Sequence, residues 1–89
     1  MPSTYDLQVI TPQGIALTAQ VVHALVPGEN GFVGVLANHA PYVTSSSGGR
    51  FEIREADGTE KKFMAGPGFF EVAHNTASFL TQSFNSYSS

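Results

Sequence analysis

The stretch Ile15-Ala16-Leu17-Thr18-Ala19-Gln20-Val21-Val22-His23-Ala24-Leu25-Val26 decides the fold class of this 89-residue chain. Leu17, Val21, Val22, Leu25 and Val26 fit one face of a helix, with Thr18 placed to cap it. Against this, Val21, Val22 and Val26 are β-branched, and Pro27 with Gly28 ends the run. Local preference therefore leans towards an extended chain buried on both faces, without closing the helical alternative.

Outward from this segment, every other element reads as strand. Tyr5, Leu7 and Val9 share one face of a first strand over 5–10, and Pro12 with Gly14 ends it. On the other side, Asn30-Gly31 is the strongest short hairpin signal, joining 24–26 to 32–36, because both central positions of the favoured turn need positive φ. A short extended piece over 42–44 follows, and Ser45, Ser46, Ser47, Gly48 and Gly49 read as a flexible connection. Phe51 and Ile53 alternate with Arg50, Glu52 and Arg54, the period of a half-buried strand. A three-residue loop of Ala56, Asp57 and Gly58 then sets Arg54 opposite Glu60, Glu52 opposite Lys62 and Phe51 opposite Phe63. A two-residue loop would oppose like charges instead, so the longer loop is expected, with Gly58 as its left-handed residue.

Gly66, Pro67 and Gly68 break the chain again, and a last hairpin is expected over 69–73 and 77–81 around His74-Asn75. One domain is expected over 1–84, followed by a polar tail over 85–89, with Phe84 and Tyr87 as the side chains able to tie that end to the body or to a partner. Short strands between regularly spaced turn signals give an all-β class, a flattened antiparallel sandwich or barrel.

Composition narrows the function. Seven Phe and three Tyr are expected to supply the core, since each aromatic buries about 150–250 Å². Without Cys there is no disulfide and no thiolate metal site. Four Lys and Arg against seven acids, net −3, repel phosphate backbones, so no nucleic-acid partner is expected. No apolar run approaches the length of a membrane span, and the opening residues lack a signal-peptide pattern, so direct membrane insertion is not expected.

Catalytic readings fail at the level of motifs. Gly28, Gly31 and Gly34 lack the strand-to-helix setting of a dinucleotide loop and read as turn and strand geometry. His23, His39 and His74 show no paired ligand spacing, so no metal or other cofactor is expected. Ser45 to Ser47 lack a nucleophile elbow, which leaves hydrolysis unsupported. His23 reads as a structural histidine in an apolar strand or as a pH sensor. His39, beside Pro41, either holds a turn or meets a partner. Exposed Tyr and Phe leave a small-ligand or carbohydrate binder as the alternative to a protein-binding module.

The stretch Gly28-Glu29-Asn30-Gly31-Phe32-Val33-Gly34-Val35-Leu36-Ala37-Asn38-His39-Ala40-Pro41 resembles the signature of the epsilon subunit of F-type ATP synthases. Tyr5-Asp6-Leu7-Gln8-Val9-Ile10-Thr11-Pro12 is similar to that family's first strand, and Gly66-Pro67-Gly68-Phe69-Phe70-Glu71-Val72 to its glycine turn and following strand. The resemblance spans about residues 4–83. It implies a sandwich of about ten strands and makes 15–26 a strand. It further implies a non-catalytic rotor subunit, peripheral on the cytoplasmic face of a bacterial inner membrane, joining gamma to the polar loops of the c-ring and supporting proton-coupled ATP synthesis. Carried over by position, Thr11, His39, Tyr42 and Val43 would lie towards gamma, and Glu29, Asn30, Gly31 and Phe32 towards the ring. Gly28, Gly34, Pro41, Gly58, Gly66 and Gly68 would shape the backbone. Ala37 stands where the family commonly has proline, which loosens the turn before His39. The family's C-terminal inhibitory helical hairpin has no counterpart in these 89 residues, so no inhibition of that type is expected from them.

Overall fold

A computed structural model describes residues 3–87. Ten strands fill it: β1 (Tyr5–Thr11), β2 (Gly14–Val21), β3 (His23–Gly28), β4 (Gly31–Leu36), β5 (Tyr42–Ser46), β6 (Gly49–Arg54), β7 (Glu60–Ala65), β8 (Gly68–Ala73), β9 (Thr76–Thr81) and β10 (Phe84–Ser86). They form two five-stranded sheets, β2-β1-β9-β8-β5 and β10-β7-β6-β3-β4. The expected sandwich is therefore the observed one. Every ladder is antiparallel except β1 with β9, which run parallel from Asp6↔Thr76 to Ile10↔Leu80.

Both sheets bury one face against the other. Leu7, Val9, Phe70, Val72 and Phe79 of the first sheet meet Val26, Val35, Phe51 and Ile53 of the second, all essentially inaccessible to solvent. Phe51 and Phe79 touch across the layers with ring centroids 5.2 Å apart. Tyr5 adds a polar tie between the sheets, its phenol donating to the Val35 carbonyl at 2.8 Å. Burial pushes its acidity far below that of a free phenol, with the Ala24 backbone opposing slightly.

Residues 15–26 are extended, but they are two strands in two different sheets rather than one strand buried on both faces. The chain changes sheet at Val22, whose N–H donates to the Arg54 carbonyl at 2.8 Å. Val21 and Ala24 both face the core. They are three positions apart, an odd spacing that one strand of period two cannot accommodate.

The β3–β4 hairpin pairs as expected, with Val35 opposite Ala24, but its loop is Glu29-Asn30, closed by Gly28↔Gly31. Only Gly31 there has a positive φ, 118°, so Asn30-Gly31 is not the central pair. Ser45 and Ser46 belong to β5 and Gly49 to β6. That shrinks the expected flexible connection to Ser47-Gly48, held by the Ser46 hydroxyl accepting from Gly48 N–H at 3.0 Å.

The β6–β7 register is the one argued from charge: Arg54↔Glu60, Glu52↔Lys62 and Phe51↔Phe63. Glu55 and Thr59 close the loop and Gly58 sits at φ 91°. The ion pairs formed among the described residues differ from the charge pairs that selected the register. They are Arg50–Glu52 at 2.8 Å and Lys61–Glu55 at 3.1 Å.

Asn85 and Ser86 do not begin a loose tail but continue β10, paired with Met64 and Phe63 of β7. Phe84 anchors this strand by stacking on Phe63 with centroids 4.6 Å apart and meeting Phe51 edge-on at 5.4 Å. Tyr87 N–H then donates to the Lys62 carbonyl at 2.9 Å. Residues 88 and 89 of the expected tail lie outside the described residues.

Candidate protein-binding surfaces

The residues expected to face partners divide between two ends of the sandwich. At one end are Thr11, the last residue of β1, and the tip Glu29, Asn30 and Gly31, with Phe32 just behind it. The 45–48 segment joins them. Ser46 shares a shallow depression of about 640 Å³ with Thr11, while Ser47 and Gly48 lie against Glu29 and Phe32. The Glu29 N–H also reaches the hydroxyl of buried Thr44 at 3.4 Å, which ties the tip to β5. Phe32 stays half exposed beneath the Arg50 guanidinium, 5.7 Å from its ring centre, an attraction of the cation–π kind.

At the opposite end are His39 and Tyr42, edge-to-face with centroids 6.0 Å apart. His39 Nδ1 lies 2.7 Å from the Ala40 carbonyl, so the ring holds its own turn as well as being accessible. Tyr42 pairs with Val72, close to the β8–β9 turn, where His74 and Asn75 both adopt left-handed φ. Val43 lies between the two ends on the outer face of β5 and is 67% exposed.

The strand registers reveal what the sequence pattern hid. Ile15 pairs with Ile10, Ile10 with Leu80, Leu80 with Phe69, and Phe69 with Ser45. An apolar row therefore crosses the outer face of the first sheet, with Ile15 63%, Phe69 61% and Leu80 47% exposed. A bulge places Ile15 there. The β1–β2 register slips between Val9 and Ile10, leaving Ala16 unpaired and turning Ile15 outward. Isolated exposed apolar residues are ordinary, but a contiguous row next to exposed Val43 is what a partner-binding face presents.

Of the residues expected to shape the backbone, Gly28 closes the β3–β4 tip, Pro41 leads into β5, Gly58 turns β6 into β7, and Gly66 receives a hydrogen bond from Thr81. Gly34 is not in a turn. It lies inside β4, where an added Cβ would stand 3.2 Å from His23 Nε2. Gly68 meets the tightest constraint, because a Cβ there would collide with the Leu80 carbonyl oxygen of the neighbouring strand. His23 has its basicity lowered by burial and by Arg54, with Glu52 opposing. Among the described residues no three His, Cys, Asp or Glu side chains are grouped to hold a metal ion. The depression beside Thr11 is open to solvent, unlike the enclosed sites that bury most of a small ligand.

Comparison with known proteins agrees with this architecture. Residues 4–86 match the family described as ATP synthase, Delta/Epsilon chain, beta-sandwich domain. The ATP synthase epsilon chain of Chlorobaculum tepidum is 33% identical over 78 residues, covering 88% of this chain and 89% of the relative. That of Leptospira borgpetersenii is 41% identical over 76 residues, 85% of this chain but 59% of the relative. In fold, the chain is similar to one in the mitochondrial ATP synthase of Euglena gracilis, with TM-score 0.89 and 20% identity over 97% of this chain and 55% of that one. The ten-stranded sandwich, the match along nearly its whole length and the bacterial relatives together show that the chain belongs to the ATP synthase delta/epsilon family, as the beta-sandwich domain of an epsilon chain, a subunit without catalysis of its own.

Proposed function

We propose that the chain is a rotor component of the central stalk of a proton-translocating ATP synthase, joining the gamma subunit to the polar loops of the c-ring so that ion flow is coupled to ATP synthesis. The observation that carries this reading is the apolar row Ile15, Ile10, Leu80 and Phe69 with neighbouring Val43. Gamma packs on this face, with Thr11 at its lower border and His39 and Tyr42 at its upper end. The polar tip Glu29-Asn30-Gly31, with Phe32 behind it, projects from the end of the sandwich and suits polar ring loops. The epsilon-chain relatives support the assignment, as does the fold shared with a chain of the central stalk and c-ring assembly of Tetrahymena thermophila, TM-score 0.75. In that setting the chain is peripheral to a bacterial inner membrane on its cytoplasmic face, held there by the complex.

Native mass spectrometry with the cognate gamma subunit tests this. A one-to-one complex is expected. Val43→Asp, which buries an unpaired charge in an apolar contact, is expected to weaken it by about 2 kcal/mol or more. No complex with the wild-type chain, or equal affinity for a folded Val43→Asp variant, would refute the assigned face.

A further inference from the structure

Asn75 occupies the second central position of the two-residue turn between β8 and β9, closed by Ala73↔Thr76. His74 at φ 52° and Asn75 at φ 60° are both left-handed, the geometry in which glycine is the easiest occupant of the second position. Asparagine there contributes a side chain that a glycine would lack. Its Oδ1 accepts from Asn38 N–H at 2.8 Å, and its Nδ2 donates to the Thr4 carbonyl at 2.8 Å. Its own carbonyl accepts from Asp6 N–H at 3.3 Å. One residue therefore holds the lead into β1, the β8–β9 turn and the crossover from β4 to β5.

Beyond the packing of Ala37 against the hydrophobic core, that crossover has few ties to the body among the described residues. It runs from Ala37 to Pro41 between the two sheets, and Asn38 is itself left-handed at φ 63°. Among the described residues, the His39 ring interacts with its neighbours Ala40 and Tyr42. The bond from Asn38 to Asn75 thus ties the segment just beyond Ala37, immediately before His39, Tyr42 and Val43.

We infer that Asn75 is a positioning residue for partner docking: its carboxamide holds the 37–41 crossover so that His39, Tyr42 and Val43 are presented in one arrangement before gamma arrives. This rests on the docking reading above. Fixing the segment in advance removes the ordering cost that binding would otherwise carry.

Asn75→Gly separates the latch from the turn, because glycine keeps the left-handed backbone and deletes both side-chain bonds. Three measurements on the full chain are expected. Asn38 amide exchange accelerates at least tenfold, the His39 ring signals move as the Tyr42 ring shifts away, and Kd for gamma rises about tenfold because binding must now order the freed crossover. Asn75→Asp keeps an acceptor for Asn38 N–H, so it is expected to restore most of the affinity. Ala77→Gly weakens the same sheet without touching the crossover, so it is expected to lower Tm and leave Kd unchanged.

Unchanged Asn38 exchange in Asn75→Gly would overturn the latch whether or not gamma binds. Released exchange with unchanged Kd would overturn its role in docking. Loss of affinity in Ala77→Gly equal to that in Asn75→Gly would reduce the effect to stability alone. Failure of the wild-type chain to bind gamma would instead refute the docking reading, with the exchange measurement still deciding the latch.

Discussion

Phe69 and Phe70 are chain neighbours on opposite faces of β8, and truncating each is expected to have different consequences. Phe69 is 61% exposed. A phenylalanine side chain offers about 150–250 Å², so docking that covers it removes about 120 Å² from water, worth about 3 kcal/mol. The methyl group of alanine recovers part of this, leaving a loss of about 2 kcal/mol, or roughly thirtyfold in Kd for gamma. Since about two-fifths of Phe69 is already covered in the isolated domain, Phe69→Ala is expected to cost about 1–2 kcal/mol of folding stability, well short of the cost at Phe70. Phe70 is fully buried, so Phe70→Ala is expected to cost about 3–5 kcal/mol of folding stability, a large share of what a small domain possesses. Titration calorimetry against gamma and scanning calorimetry of the chain alone separate the two effects. If Phe69→Ala and Leu80→Ala both bind gamma with wild-type affinity, the outer face of the first sheet is not the docking face.

Other perturbations test the fold and its titratable groups. Tyr5→Phe leaves the buried Val35 carbonyl without the phenol donor, for an expected loss of about 1–2 kcal/mol in chemical denaturation. Because burial raises the Tyr5 pKa above its ordinary value of 10.0, the wild-type contribution is complete below that value and declines as pH rises past it. The alkaline decline should therefore be shallower in Tyr5→Phe, and an identical alkaline limb would contradict the assignment. Gly68→Ala drives a methyl group into the Leu80 backbone. Separation of β8 from β9 should appear as a Tm loss of at least several degrees, whereas a wild-type Tm would show that the approach is not close. The His23 pKa is lowered from 6.5, so the neutral ring is favoured on folding and stability falls as pH drops below that value. Tm measured between pH 7.5 and 5.5 should decline less in His23→Gln, and equal slopes would assign the decline to other groups.

Much of this structure was legible because strand patterning and turn chemistry are local. Tyr5, Leu7 and Val9 announced the buried face of β1, and the charge pattern around Gly58 selected the correct β6–β7 register. Yet the charges that selected it pair differently, Arg50 with Glu52 along one strand and Lys61 with Glu55 diagonally. Register is shared by a whole ladder, whereas an exposed ion pair is decided by the reach of two flexible side chains. The change of sheet at Val22 was hard to read because Val21, Val22, Ala24, Leu25 and Val26 are all apolar, leaving His23, which continuous alternation from Val21 would turn inward, as the one polar mark of the slip.

The apolar outer face of the first sheet was hidden for a related reason. In Phe69-Phe70 and Phe79-Leu80, adjacent apolar residues point one inward and one outward. Alternation vanishes in both pairs, and that loss was itself the available sign of an apolar outer surface. The motif that identified the family was visible around His39, but its separation from Thr11 at the other end of the sandwich required the three-dimensional registers.

The parallel ladder joining β1 to β9 determines when this domain can mature during synthesis. Asp6 finds its β9 neighbour only at Thr76, so β1 waits during synthesis for the ninth strand of the domain before its sheet can close. Such distant pairing places the chain among slow-folding β topologies, on a scale of milliseconds to seconds. A nascent chain stalled before β9 would display Leu7 and Val9 to solvent, making chaperone capture at that stage a direct result of strand order.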